Sequence, residues 1–270
     1  MQPSSGVDQP ESLLAAYDQQ LRGEAETPSA VSVARFGPLR LVTFRGGRGF
    51  VTYRDLGGAD ERGVAGLVAA ALDHFTANPA ISRVEWKTRG HDTAPGLDEA
   101  LHAHGFVAGE TESIMIGTAE VLDVSVPLPQ GVTLRRITQE ADVRRMCVMD
   151  GQVFGDDEQQ IEVMVDALLH RQSIDPLMEL WVAEFEDEVI GAGRLEPVPN
   201  TDFSGIWGGA VVPEWRHRGI YRALTAARAR SALQRGHHLI HSDSTAHSRP
   251  ILQRSGLICV STTTPYDWRR

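Results

Sequence analysis

The run Gly208-Gly209-Ala210-Val211-Val212-Pro213-Glu214-Trp215-Arg216-His217-Arg218-Gly219-Ile220-Tyr221-Arg222-Ala223-Leu224 leaves a chain few ways to fold around it. An apolar strand must stop at Pro213, which has no N–H to extend a ladder. A short arginine-bearing loop follows, and Gly219 opens a helix. A helix that starts there leaves its first N–H groups without intrahelical partners, and glycine lets a ligand approach the backbone closely. Between Pro213 and Gly236 stand six arginines and one glutamate, a local charge of +5. The whole chain, with 26 Lys+Arg against 36 Asp+Glu, carries −10. An anion, most simply a pyrophosphate, fits such a local reversal of sign better than a surface helix with merely solvated arginines does.

Composition closes other routes. Lys87 is the only lysine, and no Gly-Lys-Ser/Thr triplet occurs, so a P-loop is excluded. A net charge of −10 argues against broad nucleic-acid or anionic-membrane binding. The two cysteines, Cys147 and Cys259, lie far apart in apolar contexts, which fits neither a disulfide framework nor a structural zinc site. No metal site is expected. His237, His238, His241 and His247 lack metal-ligand spacing, and strand alternation separates neighbouring side chains. No G-x-S-x-G elbow is present. The first residues, Met-Gln-Pro-Ser-Ser-Gly, lack the apolar core of a signal peptide, and the longest apolar run, 63–72, is about half a membrane span. A soluble, cytoplasmic protein is expected.

The length of 270 residues admits one large domain or two of about 130 residues. Helical spacing runs over 11–22, and β-rich stretches follow at 30–35, 39–45 and 50–55. A helix is expected over 61–75, a strand over 84–88, a helix over 96–103 and a strand over 110–117. The proline- and glycine-bearing stretch 121–131 reads as a linker. The pattern then restarts: a strand over 132–137, helices that include 143–149 and 159–171, a hairpin over 180–195 and a strand over 206–212. A helix over 220–234, a strand over 238–242, a short helix over 249–254 and a strand over 257–264 complete it. Both halves share this order, and Leu101-His102-Ala103-His104-Gly105-Phe106 aligns with Leu252-Gln253-Arg254-Ser255-Gly256-Leu257. The expectation is a mixed α/β fold, a mostly antiparallel sheet flanked by helices, arising from an old duplication.

The segment from Val211 to Arg222 resembles the acyl-coenzyme A loop of the GNAT acetyltransferase superfamily, in which a strand ending Val-x-Pro precedes Arg/Gln-x-x-Gly-x-Gly/Ala. Arg216 and Gly219 match, and Tyr221 stands where glycine or alanine is usual. The resemblance extends over about 132–268. It implies two GNAT-like domains in tandem: a degenerate one over 1–120, the linker 121–131, and an acetyltransferase domain over 132–270. It implies acetyl-CoA as cofactor, with Ala210, Val211 and Val212 along the pantetheine arm. The amides of Val211 and Val212 would polarise the thioester. His217, Arg218, Gly219, Ile220, Tyr221 and Arg222, with Arg216, would cradle the pyrophosphate, and on the cofactor's thiol side Thr245 or Ser248 would supply a weak donor to the leaving thiolate. The reaction would be direct attack of a primary amine on the thioester in a ternary complex.

Acid and base are not singled out by the residues. Leu252 occupies the place where the family often has tyrosine. Candidate catalytic groups are Glu196 and Asp243 as carboxylate bases and Tyr266 as an acid; the alternative for each is a surface charge or turn residue. The N-terminal half has Asp55-Leu56-Gly57-Gly58-Ala59-Asp60-Glu61 before its long helix, and three acids there would repel a pyrophosphate. The expected activity is N-acetylation of a small-molecule or peptide amine, with a homodimer as one candidate assembly. The alternative is an acyl-CoA-binding regulator with little turnover.

Overall fold

The computed structural model describes residues 9–270. The chain divides into two compact units. The first comprises the described residues up to Met115 together with Asp243–Pro250 and Cys259–Arg270; the second comprises Ile116–Ser242 and Ile251–Ile258.

The first unit opens with α1 (Pro10–Gln20), which buries Leu13 and Tyr17. The strands β1 (Ser32–Phe36), β2 (Leu39–Phe44) and β3 (Arg48–Thr52) pair antiparallel in succession. The helix α2 (Glu61–Thr76) presents Val64, Val68, Ala71 and Phe75 inward, a spacing that keeps them on one face. It crosses to β4 (Arg83–Arg89), which pairs parallel to β3. Then come α3 (Leu97–Ala103), β5 (Val107–Ala108) and β6 (Glu112–Thr118), in the middle of which the first unit gives way to the second; the short α4 (Ala119–Leu122), in the stretch expected to be a linker, belongs to the second unit.

The second unit runs through β7 (Val132–Ile137), α5 (Glu140–Phe154), α6 (Glu158–Ile174), β8 (Glu179–Phe185), β9 (Glu188–Pro197) and β10 (Phe203–Val211). The strands β7 to β10 are antiparallel neighbours. The helix α7 (Ile220–Gln234) then crosses to β11 (Leu239–Ser244), whose first half pairs parallel to β10. Each unit thus repeats one scheme: an antiparallel meander, then a helix leading to a parallel strand. The architecture is mixed α/β, as the alternation of periodicities predicts.

Strand alternation gives the strands of the second unit two covered faces. Val182, Ala192 and Ala210 pack with Val143, Met146 and Cys147 of α5. Their neighbours Ala183 and Val211 pack with Ile220 and Leu224 of α7. After α8 (Arg249–Arg254), the last strand β12 (Ile258–Arg269) departs from expectation. It pairs antiparallel with β4, from Thr263 opposite Arg89 to Arg269 opposite Arg83, and Tyr266 enters the first core beside Trp86 and Phe106. A contiguous 132–270 domain is therefore not what the fold displays, because the closing strand belongs to the first unit. No helix among the described residues is long and apolar enough to cross a membrane.

Candidate functional site

The second unit interrupts its sheet where the apolar strand meets the arginine loop. Ladder pairs join β10 to β11 only from Phe203 opposite Leu239 to Gly205 opposite His241. On the other edge the pairing with β9 slips: Trp207 faces Arg194, but the next pair is Ala210 with Ala192, so β10 carries a bulge there. Gly208 lies inside it with φ +56°, a left-handed conformation that glycine adopts without strain.

Past the bulge, the Val212 amide donates to the Ile190 carbonyl at 3.0 Å. It is spent inside the sheet, which corrects the expectation that it would serve a thioester. Antiparallel strands alternate the direction of successive amides, so the Val211 N–H turns away from β9. The Val211 carbonyl accepts from Arg216 Nε at 3.1 Å, which draws that guanidinium back to the strand end.

Beyond Pro213–Trp215 the loop is held by stacking. Trp215 packs on Phe185 with ring centroids 4.8 Å apart, and the Arg218 guanidinium lies 4.9 Å over the Trp215 ring. His217 (φ +63°) and Gly219 (φ +85°) are left-handed while Arg218 between them is not. Such changes of hand turn consecutive amides toward one concavity. Gly219 then caps α7 without a side-chain hydrogen bond, and the first helical bond runs from the Ala223 amide to the Gly219 carbonyl at 2.9 Å. The Ile220, Tyr221 and Arg222 amides are thereby left at the helix's positive end.

The corresponding helix start in the first unit is closed. The Asp60 side chain accepts from the Gly63 amide at 2.8 Å, and Asp55 accepts from Gly57 at 2.8 Å. A carboxylate already occupies the position an anion would take.

The structure sorts the other candidates by unit. Glu196, on β9, accepts from Arg171 Nη2 at 2.8 Å and lies 3.4 Å from Arg194 Nε. Arg194 shares that sheet face, and a Cβ on Gly208 would stand 3.9 Å from its guanidinium carbon. Glu196, Ala210, Val211, Val212 and residues 216–222 therefore belong to one unit. Asp243, Thr245, Ser248 and Tyr266 belong to the other. There Asp243 pairs with Lys87 Nζ at 2.5 Å, and its field holds the ammonium above its ordinary range against the cost of burial. The Tyr266 hydroxyl donates to Asp98 at 2.5 Å, and burial, helped by that carboxylate, pushes it up to about 12. The Thr245 and Ser248 hydroxyls lie 3.4 Å from each other.

Two buried ionisable groups of the second unit escape sequence reasoning. Asp150 on α5 is 5% exposed, one carboxylate oxygen has no hydrogen bond, and burial raises it to about 7 against the opposing charge of Arg194. Arg228 on α7 is 1% exposed and pairs with no carboxylate among the described residues; burial lowers it to about 10. A signal existed for both: each sits four residues after an apolar residue of its helix, Met146 and Leu224, on the inward face.

Residues 146–256 match the model of the acetyltransferase (GNAT) family. A search of curated proteins by sequence finds no match. Among solved structures, a GCN5-related N-acetyltransferase from Kribbella flavida is 16% identical, with a TM-score of 0.66 over 98% of this chain and 96% of that one. A GCN5-related N-acetyltransferase from Sphaerobacter thermophilus is 16% identical, with a TM-score of 0.62 over 99% and 94%. A tandem GNAT protein from the clavulanic acid biosynthesis pathway is 13% identical, with a TM-score of 0.60 over 99% and 88%. At these identities the likeness is one of fold.

Proposed function

We infer, from the premise that residues 146–256 form a GNAT acetyltransferase domain, that the protein moves an acetyl group from acetyl-CoA to a primary amine, and that the second unit does so. The observation that carries this reading is the uncapped start of α7 in series with the bulged, part-unpaired β10. Amides of Ile220, Tyr221 and Arg222 would take the pyrophosphate, with the concavity at His217–Gly219 and the charges of Arg216 and Arg218 beside them. The outward amide of Val211 would polarise the thioester carbonyl. Acetyl-CoA supplies the activated acyl group as a substrate.

Such fixed donors favour direct attack, because the amine meets a carbonyl already oriented and polarised. An ammonium acceptor must first lose a proton. Glu196 is the carboxylate of the expected set that shares a unit with the loop, and it would take that proton through water. The two arginines on Glu196 fix its position. A net charge of −10 favours a cationic acceptor in the protein's field. The first unit, whose helix start is closed by Asp60, would support the active unit without binding acetyl-CoA itself.

The test is release of thiol from acetyl-CoA across a panel of polyamines, aminoglycosides and peptide amines. Amine-dependent release with one acetyl-CoA bound per chain is expected. Tight acetyl-CoA binding without release over the whole panel would replace this reading by that of an acyl-CoA-binding regulator. That second reading draws on Leu252, a buried apolar residue on α8.

A further inference from the structure

Acetyl transfer from a thioester ends with a thiolate that needs a proton. The chain has four tyrosines, and Tyr17, Tyr53 and Tyr266 all belong to the first unit. Tyr221 is the one phenol of the second.

Tyr221 is the second residue of α7, and its ring folds back onto β10. A Cβ built on Gly209 would stand 2.6 Å from a ring carbon and 3.2 Å from the hydroxyl oxygen. Only a residue without a side chain admits the ring, so Gly209 and Tyr221 fit each other. The hydroxyl therefore lies against the bulged stretch of β10 at Gly209. Among the described residues it has no hydrogen-bond partner, although most of the side chain is covered.

The bulge beside it is braced. Arg228 Nη1 donates to the Arg194 carbonyl at 3.1 Å and reaches the Trp207 carbonyl at 3.5 Å. Arg228 Nη2 meets Thr225 Oγ1 at 3.3 Å, and that hydroxyl donates to the Tyr221 carbonyl at 2.9 Å. One guanidinium thus ties the last ladder pair before the bulge to the turn of α7 that carries the phenol.

We propose that Tyr221 is the proton donor to the leaving thiolate of acetyl-CoA, an assignment that rests on the acetyl-transfer reading above. The amine nitrogen bonds to the acetyl carbon, and the carbon–sulfur bond breaks with both electrons going to sulfur. The Tyr221 hydroxyl proton then passes to sulfur. The phenolate regains a proton from solvent, matching the one released by the amine. Burial raises the phenol above its ordinary range and keeps it protonated at neutral pH, and the charge of Arg228, which opposes that shift, steadies the phenolate while it lasts. Tyrosine in place of a small residue in the loop thus supplies a group that neither Leu252 nor the first unit's Tyr266 provides.

Tyr221→Phe keeps the ring against Gly209 and removes only the hydroxyl. With an amine that wild-type protein acetylates, kcat is expected to fall roughly 10- to 100-fold. The acetyl-CoA dissociation constant, measured by calorimetry, is expected to stay within about threefold, because the loop amides are untouched. The alkaline fall in the wild-type kcat–pH profile should vanish in the variant. An unchanged kcat would overturn the assignment, as would a loss confined to acetyl-CoA affinity, which would make Tyr221 a packing residue. Wild-type protein that binds acetyl-CoA but releases no thiol would instead refute acetyl transfer, and this assignment with it.

Discussion

Asp60 accepts from the Gly63 amide at 2.8 Å and closes the start of α2, whereas Gly219 at the start of α7 offers its helix no side chain at all. The two helices hold corresponding places in the two units, and in the proposed function this difference is what separates the helix that receives an anion from the one that does not.

Gly219→Asp should therefore convert the second helix start into the first. The new carboxylate would cap α7 and repel a pyrophosphate, and the left-handed φ of +85° would add strain of about 1 kcal/mol. Acetyl-CoA affinity measured by calorimetry is expected to fall by more than about 100-fold, a loss of about 3 kcal/mol, with the circular dichroism of the folded protein retained. Retention of affinity would mean that the amides of α7 do not hold the ligand.

Glu196 and Asp243 should respond in opposite ways to loss of charge. Glu196→Gln is expected to lower kcat roughly 10- to 100-fold with acetyl-CoA binding intact. Asp243→Asn strands the largely buried Lys87 ammonium, so it should cost about 3 kcal/mol of stability in denaturant melts. If Asp243→Asn left stability unchanged and removed activity, the assignment of base and structural partner would have to be exchanged.

Arg228 gives up hydration without a carboxylate in return, so it weighs on stability while bracing the bulge. Arg228→Met is expected to leave the melting temperature unchanged or raised and to lower kcat about tenfold. Arg228→Lys should recover part of that loss, since an ammonium keeps the charge but not the fork. Equal kcat in wild type and Arg228→Met would show that the bulge holds itself.

Asp150 predicts a pH dependence whose sign follows from its raised value. Between the ordinary carboxylate range and about 7, the folded protein binds a proton that the unfolded chain has released. Stability from this group is therefore complete below about pH 4 and lost as pH rises through about 7. Asp150→Asn should remove that slope and be more stable than wild type at pH 8 by about 2 kcal/mol. Urea titrations at pH 5 and pH 8 measure it, and parallel curves for the two proteins would contradict it.

The loop and its helix were legible in the chain because their signals are local. Pro213 stops a strand, Gly219 starts a helix, and arginines between them reverse the charge within one short stretch. The capped start of α2 was legible for the same reason, as acids in the residues just before a helix. The repeat of meander, helix and parallel strand also follows from periodicity, which each segment carries by itself.

What depends on distant partners was decided only in three dimensions. Amide direction on β10 follows from its register with β9, which turns Val212 inward and Val211 outward. The last strand found β4 rather than a place in its own half, because Tyr266 completes a core built around Trp86 and Phe106. Asp243 met Lys87, 156 residues away, and became half of an ion pair. Tyr221 met the one glycine that its ring needs. Short-range propensity wrote the elements and the arginine-bearing loop into the chain, whereas pairing register and core packing, which join residues far apart in sequence, chose the partner of each candidate group.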